Sequence, residues 1–291
     1  MILPALALSL ALSGAPQAAV AASTSQTAGP QDPSVAAAAT LSDVVVTARQ
    51  RQAVREFVRD LSVSEQSGGQ LGRFDRTVCP GVMGVRNPYA QALNDQIARM
   101  AMALELRVGE PGCKPNILVI AGANAQQLSE MIDAFPAGLE ADSRAGRRGR
   151  LSLERLRHPR PVRWWHQVAY RPTSVASRLT APEITDVVRS VVLLDMERVG
   201  SVNFEALADY VGMVALARLN ADADVSEHDT ILNLFENQDT RRDFVGLTAW
   251  DADYLQAIYR APADGYRWQQ ESFAVWRMMR HRDSGLDDGQ P

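Results

Sequence analysis

The side chains able to do chemistry are few in this chain, and their spacing is sparse. Its four histidines, His158, His166, His228 and His281, include no two within five positions. A zinc site on a helix needs two imidazoles one turn apart on one face, with a carboxylate beside them to take a proton from the bound water. No helical stretch here supplies that set, so neither a metal ligand nor a cofactor is assigned, and a metal would have to be gathered by histidines from distant loops. A serine in G-x-S-x-G, a phosphate-binding P-loop and the G-x-G-x-x-G turn are also missing.

What remains is a set of isolated acids, imidazoles and phenols. Asp209 lies in the middle of an apolar stretch, where an unpartnered carboxylate is costly, so it needs either a partner or a solvent cleft. Its neighbour Tyr210 reads as core packing with a bonded hydroxyl, or as a phenol in the same cleft. His166 alternates with tryptophans in RWWHQVAY and can face Glu197 or Asp195 of a neighbouring strand. His228, in the loop segment Glu227 to Asp229, can reach the same place. Asp209, Tyr210, His166, Glu197 and His228 are therefore the candidate cleft residues.

Charge and cysteine usage add two further features. The formal net charge is -4, which gives no global reason to expect nucleic acid. Residues Arg144 to Arg163 nevertheless hold eight arginines against Glu154. Arg147, Arg148 and Arg150 in that stretch are candidates for binding an anionic envelope surface, the alternative being a solvated loop. Cys79 and Cys113 are the only cysteines. An even number in an exported chain suggests that they form a disulfide.

The elements that must position these residues centre on Ser201 to Asn220, SVNFEALADYVGMVALARLN. Phe204, Leu207, Val211 and Val214 recur at helical spacing, while Ala208, Tyr210, Met213 and Leu216 carry apolar surface round the other side. Such a helix belongs inside a domain. Ser201 or Asn203 can cap its start and Asn220 its end. Ahead of it, residues 44–50 read as a first strand and 51–62 as an amphipathic helix. An extended segment over 70–82 follows, then a helix after Pro88, a strand over 116–124 and a short helix stopped by Pro136. Strands over 162–170 and 187–197 complete a pattern whose strand-helix alternation argues for a largely parallel sheet. Thr248 and Asp251 fit a capping box, and YRWQQESFAVWRMMRHR is a last amphipathic helix. That helix packs on the domain or lies on a membrane or partner surface.

The order SVVLLDME, NFEALADYVGMVALARL, DTILNLF and LTAWDADYLQAIY resembles the C-terminal half of zincin-type metalloprotease domains. There an edge strand leads into a long helix bearing H-E-x-x-H, a loop carries a short apolar turn, and a terminal helix often begins L-T-x-x-D. The resemblance spans about residues 189–259 and implies a zincin-like layout. It does not carry the metal site across: Tyr210, Val211 and Val214 occupy the ligand, base and second-ligand places in one register, and Ala208, Asp209 and Gly212 in the other. Residues 44–50 also resemble the start of the plug of outer-membrane TonB-dependent receptors, over some seven residues, in a chain too short for their barrel. As a whole the chain is similar to exported alphaproteobacterial proteins, which implies a compartment.

These readings combine into one expectation. Residues 1–21, an uncharged apolar run ending in Ala19-Val20-Ala21, form a signal peptide, and 22–42 a disordered leader. Residues 43–270 form an α+β domain with a mixed, partly parallel sheet and a central buried helix, 271–282 a helical extension and 283–291 a disordered tail. No stretch is apolar enough over about 18 residues to span a membrane. The protein is expected in the periplasm or secreted, binding a protein, peptide or envelope component without catalysis. The competing classes are a metal-independent hydrolase drawing on Asp209, His166, Glu197 and His228, and an adaptor that uses the Arg147 loop on anionic surfaces.

Overall fold

Strand β5, Glu183–Asp195, is paired along both of its edges, and the rest of the domain is layered around it. The structure is a computed structural model that describes residues 48–63, 70–133, 156–173, 177–236 and 244–285, with side chains to residue 280. On one edge of β5 runs β4, Val162–Pro172, antiparallel to it from one end to the other. The opposite edge is shared by β1, Arg73–Phe74, and β3, Ile117–Gly122, both parallel to β5. Beyond β3 lies β2, Pro80–Met83, again parallel. The fold is α+β, with a mostly parallel sheet and a single antiparallel strand.

An apolar run with β-branched residues suits β5 because both faces of the sheet are covered. Val191 and Leu193 join Ile120, Leu128 and Trp165 on one face, against helix α3, Ala125–Asp133. Val187, Val192 and Leu194 enter the larger core on the other face. There α1, residues 48–61, contributes Val54, Phe57, Val58 and Leu61, all fully buried. Helix α2, Asn87–Ala103, adds Leu93, Ile97, Met100 and Ala101.

After β5, Asp195 caps the short α4, Met196–Val199, and Asn203 caps α5, Phe204–Leu216. The Asn203 side chain accepts from the amides of Glu205 at 2.7 Å and Ala206 at 3.3 Å. Ten of the residues of α5 are buried, on every side of the helix. It packs against α2 so closely that the Met100 sulfur sits where a Gly212 Cβ would lie. A 3-10 turn, Ile231–Phe235, then leads to α6, Ala249–Arg260, which starts with the Thr248/Asp251 capping box. Helix α7, Arg267–Gly285, packs along α6 and places Ala274 and Met278 in the main core.

Several expectations are corrected. Residues 48–50 are helical, so the strand read over 44–50 does not extend through them, and its first part lies outside the described residues. The strand expected over 187–197 starts at Glu183, and Met196 and Glu197 belong to α4, because the Asp195 side chain turns the chain by accepting from the Arg198 amide. The central helix stops at Leu216, short of Asn220, since Leu219 instead bridges to Ser62. The last helix, read over 266–282, runs from Arg267 to Gly285.

Cys79 and Cys113 form a disulfide, with Cα atoms 6.1 Å apart, that ties the entry to β2 to the loop before β3. No helix among the described residues is long and apolar enough to cross a membrane.

The α2 and α5 contact gives a first prediction. Gly212→Ala must push the Met100 thioether aside, an overpacking cost of about 1 to 3 kcal/mol that the helix propensity of alanine offsets by about 1, so the unfolding free energy should fall by up to about 2 kcal/mol. In a Met100→Ala background the same substitution should cost less or become stabilising, read as non-additivity in urea titrations. Strictly additive losses would mean that the two side chains do not meet.

Candidate functional site

The hydrogen-bond register of β4 decides where the molecule is open. The Asp195 amide donates to the Pro161 carbonyl at 2.9 Å. In an antiparallel ladder of this register, Arg163, Trp165 and Gln167 then bond to β5, while the amides and carbonyls of Val162, Trp164 and His166 point the other way. Among the described residues β4 pairs with β5 alone, so this second edge has no strand partner.

Along that edge lie two adjoining cavities, of about 340 and 540 Å³. Five consecutive β4 residues, Val162 to His166, line the smaller one. Successive residues of a strand point to opposite faces, so a cavity touching all five lies beside the backbone. Its far wall is the chain after α5, Arg218 to Asp222. The walls are clamped together where the Trp164 indole N–H donates to the Leu219 carbonyl at 3.2 Å, and where Arg160 reaches Asp222 at 2.6 Å and the Ala221 carbonyl.

Tyr210 lines the larger cavity with Trp164, Leu232 and Phe235. Its ring meets Phe235 edge-on at 5.2 Å and Trp164 at 6.3 Å, which fixes α5, the 3-10 turn and β4 against one another. Burial pushes its phenol pKa upward, so the group is a neutral hydroxyl at any physiological pH.

His166 stands at the inner end of the smaller cavity, opposite Ser190 on β5. Burial and the positive charge of Arg218 lower its pKa to about 3, against the opposing pull of the Ala215 and Val214 carbonyls at the end of α5. Its Nε2 is closed off without a hydrogen-bond partner among the described residues, as is the Ser190 hydroxyl. A neutral imidazole whose basicity is so reduced is a poor proton acceptor.

The other candidates lie elsewhere. Asp209 faces α2 and the loop before α6, accepting from Gln96 Nε2 and from the Leu247 amide at 2.8 Å. It is a structural acceptor that pins that loop to the central helix. His228 is buried with its ring 5.2 Å from Phe57 and 5.5 Å from Trp250, between α1 and α6. Glu197 is exposed on α4. Nearby, Asp195 is fully buried between Arg163 at 3.5 Å and Arg198 at 3.4 Å. The structure thus brings His166 and Tyr210 to the two cavities, and it leaves Asp209 on α5 but turned toward α2, Glu197 on α4 and His228 in the loop after α5. Arg147, Arg148 and Arg150 lie outside the described residues.

The places that would hold zinc in either register are packed: Ala208, Tyr210, Val211, Gly212 and Val214 are all buried. Among the described residues no group of three His, Cys, Asp or Glu side chains is placed to hold a metal ion. The residues that shape the slot and that sequence reasoning missed are Arg160, Trp164, Asn220, Asp222 and Phe235. Arg160 and Asp222 are far apart in the chain, and no local pattern marks them as partners.

Compared with known proteins, the chain matches no family model, no curated protein and no solved structure.

The buried imidazole sets a pH dependence. The unfolded chain binds a proton near pH 6.5 that folded His166 takes up only near 3, so stability is complete above 6.5 and falls as pH drops through that window. The slope should reach at most about 1.4 kcal/mol per pH unit. Urea titrations between pH 7 and 4 should show that slope reduced in His166→Gln; an unchanged slope would place its origin elsewhere.

Proposed function

We propose that this protein binds extended polypeptide segments, without cleaving them, in the slot between β4 and the chain that leaves α5. The observation that carries the reading is the outward edge of β4, with the backbone groups of Val162, Trp164 and His166 facing the two cavities. Main-chain groups at an open sheet edge give affinity for an added strand, and pockets beside them select its side chains. Here the pockets are walled by Trp164, Tyr210 and Phe235, with the Arg160/Asp222 pair between them. A guest strand would meet aromatic surface on one side and an ion pair able to rearrange on the other.

The placement of the candidate acids and bases supports binding without cleavage. Hydrolysis needs a base and an orienting acid within hydrogen-bond reach of one point. His166 is held neutral against the end of α5, Asp209 is engaged by Gln96 and Leu247, and His228 is packed with Phe57 and Trp250. The sequence of strand, central helix, apolar turn and capped helix supports derivation from a zincin-like layout that lost its metal site. With the disulfide and the signal-like start of the chain, it also supports a periplasmic or secreted location.

The test uses fluorescein-labelled tryptic peptides of carboxymethylated lactalbumin, which have no fixed structure. They should bind the protein with a dissociation constant on the order of micromolar, as modest strand-addition interfaces do. Ala221→Trp, which fills the slot from its far wall, should weaken binding about tenfold or more, and mass spectrometry should recover the peptides intact. Cleaved peptides, or equal binding by the filled variant, would contradict the proposal.

A further inference from the structure

We infer that a second surface, formed by α1 and α7 and separate from the slot, docks on an anionic phospholipid bilayer. Arg51, Arg55 and Arg59 follow one another at four-residue spacing and are all exposed on α1. The outer line of α7 repeats the same spacing with Trp268, Ser272, Trp276 and Arg280, also exposed. Positions four apart share a helix face, so each helix presents a ridge, one cationic and one mainly aromatic. Between the ridges runs a groove of about 650 Å³ with Val58, Val275 and Met279 among its walls.

The exposure of the two indoles is the first unusual feature. Trp268 is 62 % and Trp276 51 % exposed, the only tryptophans among the exposed large hydrophobic side chains. Neither is needed by the core, which α7 enters through Ala274 and Met278 on its opposite side. Indole rings favour the zone between headgroups and acyl chains, where an apolar ring and a polar N–H are both accommodated.

Charge is the second. The acids beside the groove are engaged, Glu271 with Arg267 at 2.6 Å, Glu56 with Gln52 at 3.0 Å and Asp60 with Arg59 at 3.0 Å, so Arg59 is already paired and Arg51 and Arg55 carry the ridge's charge. Among the described residues no acid pairs with Arg51 or Arg55, and the Arg280 guanidinium lies 5.4 Å over the Trp276 ring. A cationic ridge beside an indole ridge matches a phosphate plane beside a glycerol layer. In a chain of net charge -4, this local excess is opposite in sign to the whole. An acidic amphipathic helix of a protein partner is the competing occupant.

The experiment measures sedimentation of the full chain with phosphatidylcholine vesicles, with and without about one third phosphatidylglycerol. Wild type should partition more strongly onto the anionic vesicles. Arg51→Gln with Arg55→Gln should reduce that partition about twenty-five-fold, taking about fivefold per arginine. Trp268→Ser with Trp276→Ser should reduce it about tenfold and remove most of the blue shift in tryptophan emission. The apolar N-terminal run is common to all variants, so only differences between them are read. A readout needing no variant is quenching of wild-type emission by phosphatidylglycerol with brominated acyl chains. Equal partition onto neutral and anionic vesicles, variants that partition like wild type, or absence of quenching would each overturn the inference.

Discussion

The burial of α5 on every side beyond its first turn is the constraint from which the rest follows. A helix with apolar side chains all round has no face to give to water, so the chain must supply cover on every side. The sheet covers it through β5 and β4, α2 covers it at the close contact of Gly212 with Met100, and the 3-10 turn covers the Tyr210 side. The one carboxylate inside this enclosure had to be given donors, and Asp209 has Gln96 and the Leu247 amide. That arrangement makes Asp209 a fixing point for the loop ahead of α6, and the same logic fixes α6 itself. Buried Asp251 accepts from Thr230, Thr248 and the Ile231 amide, so the 3-10 turn and the helix start share one acceptor.

The slot is a consequence of how that cover is arranged. Strand β5 has partners on both edges, so the outward rows of backbone groups fall to the outer strands, β4 here and β2 at the other side of the sheet. After α5 the chain has to come back under β4, and it does so through Leu219 to Asp222, held at Leu219 by a bridge to Ser62. The return path approaches β4 without forming a ladder with it. Two side-chain clamps, Trp164 to Leu219 and Arg160 to Asp222, set the spacing instead. An edge left in this state is one that proteins ordinarily protect or use.

Much of the scaffold was legible from periodicity. The strand-helix alternation, the apolar run of β5, the central helix and the Thr248/Asp251 box are local signals, and each appears as an element close to where it was read. The boundaries that moved did so for tertiary reasons. Asn220 is a reasonable stop by propensity, but Leu219 finds a bridge to Ser62, and Asp195 ends β5 early by capping the next turn. The site was less legible because its parts are held together by long-range contacts. His166 and Tyr210 drew notice through residue type, whereas Arg160 and Asp222 become partners only when the chain returns under β4. Glu197 and His228 drew equal notice and stand apart from the slot, since type and proximity in sequence carry no information about which face of an element is exposed.

Whether β4 presents an uncovered edge to the slot is read directly, in the protein alone, by amide hydrogen exchange resolved by residue. The amides of Arg163, Trp165 and Gln167, directed at β5, should exchange at least about a hundredfold more slowly than those of Val162, Trp164 and His166. Similar protection of both sets would mean that the edge is already occupied and that no open slot exists beside β4.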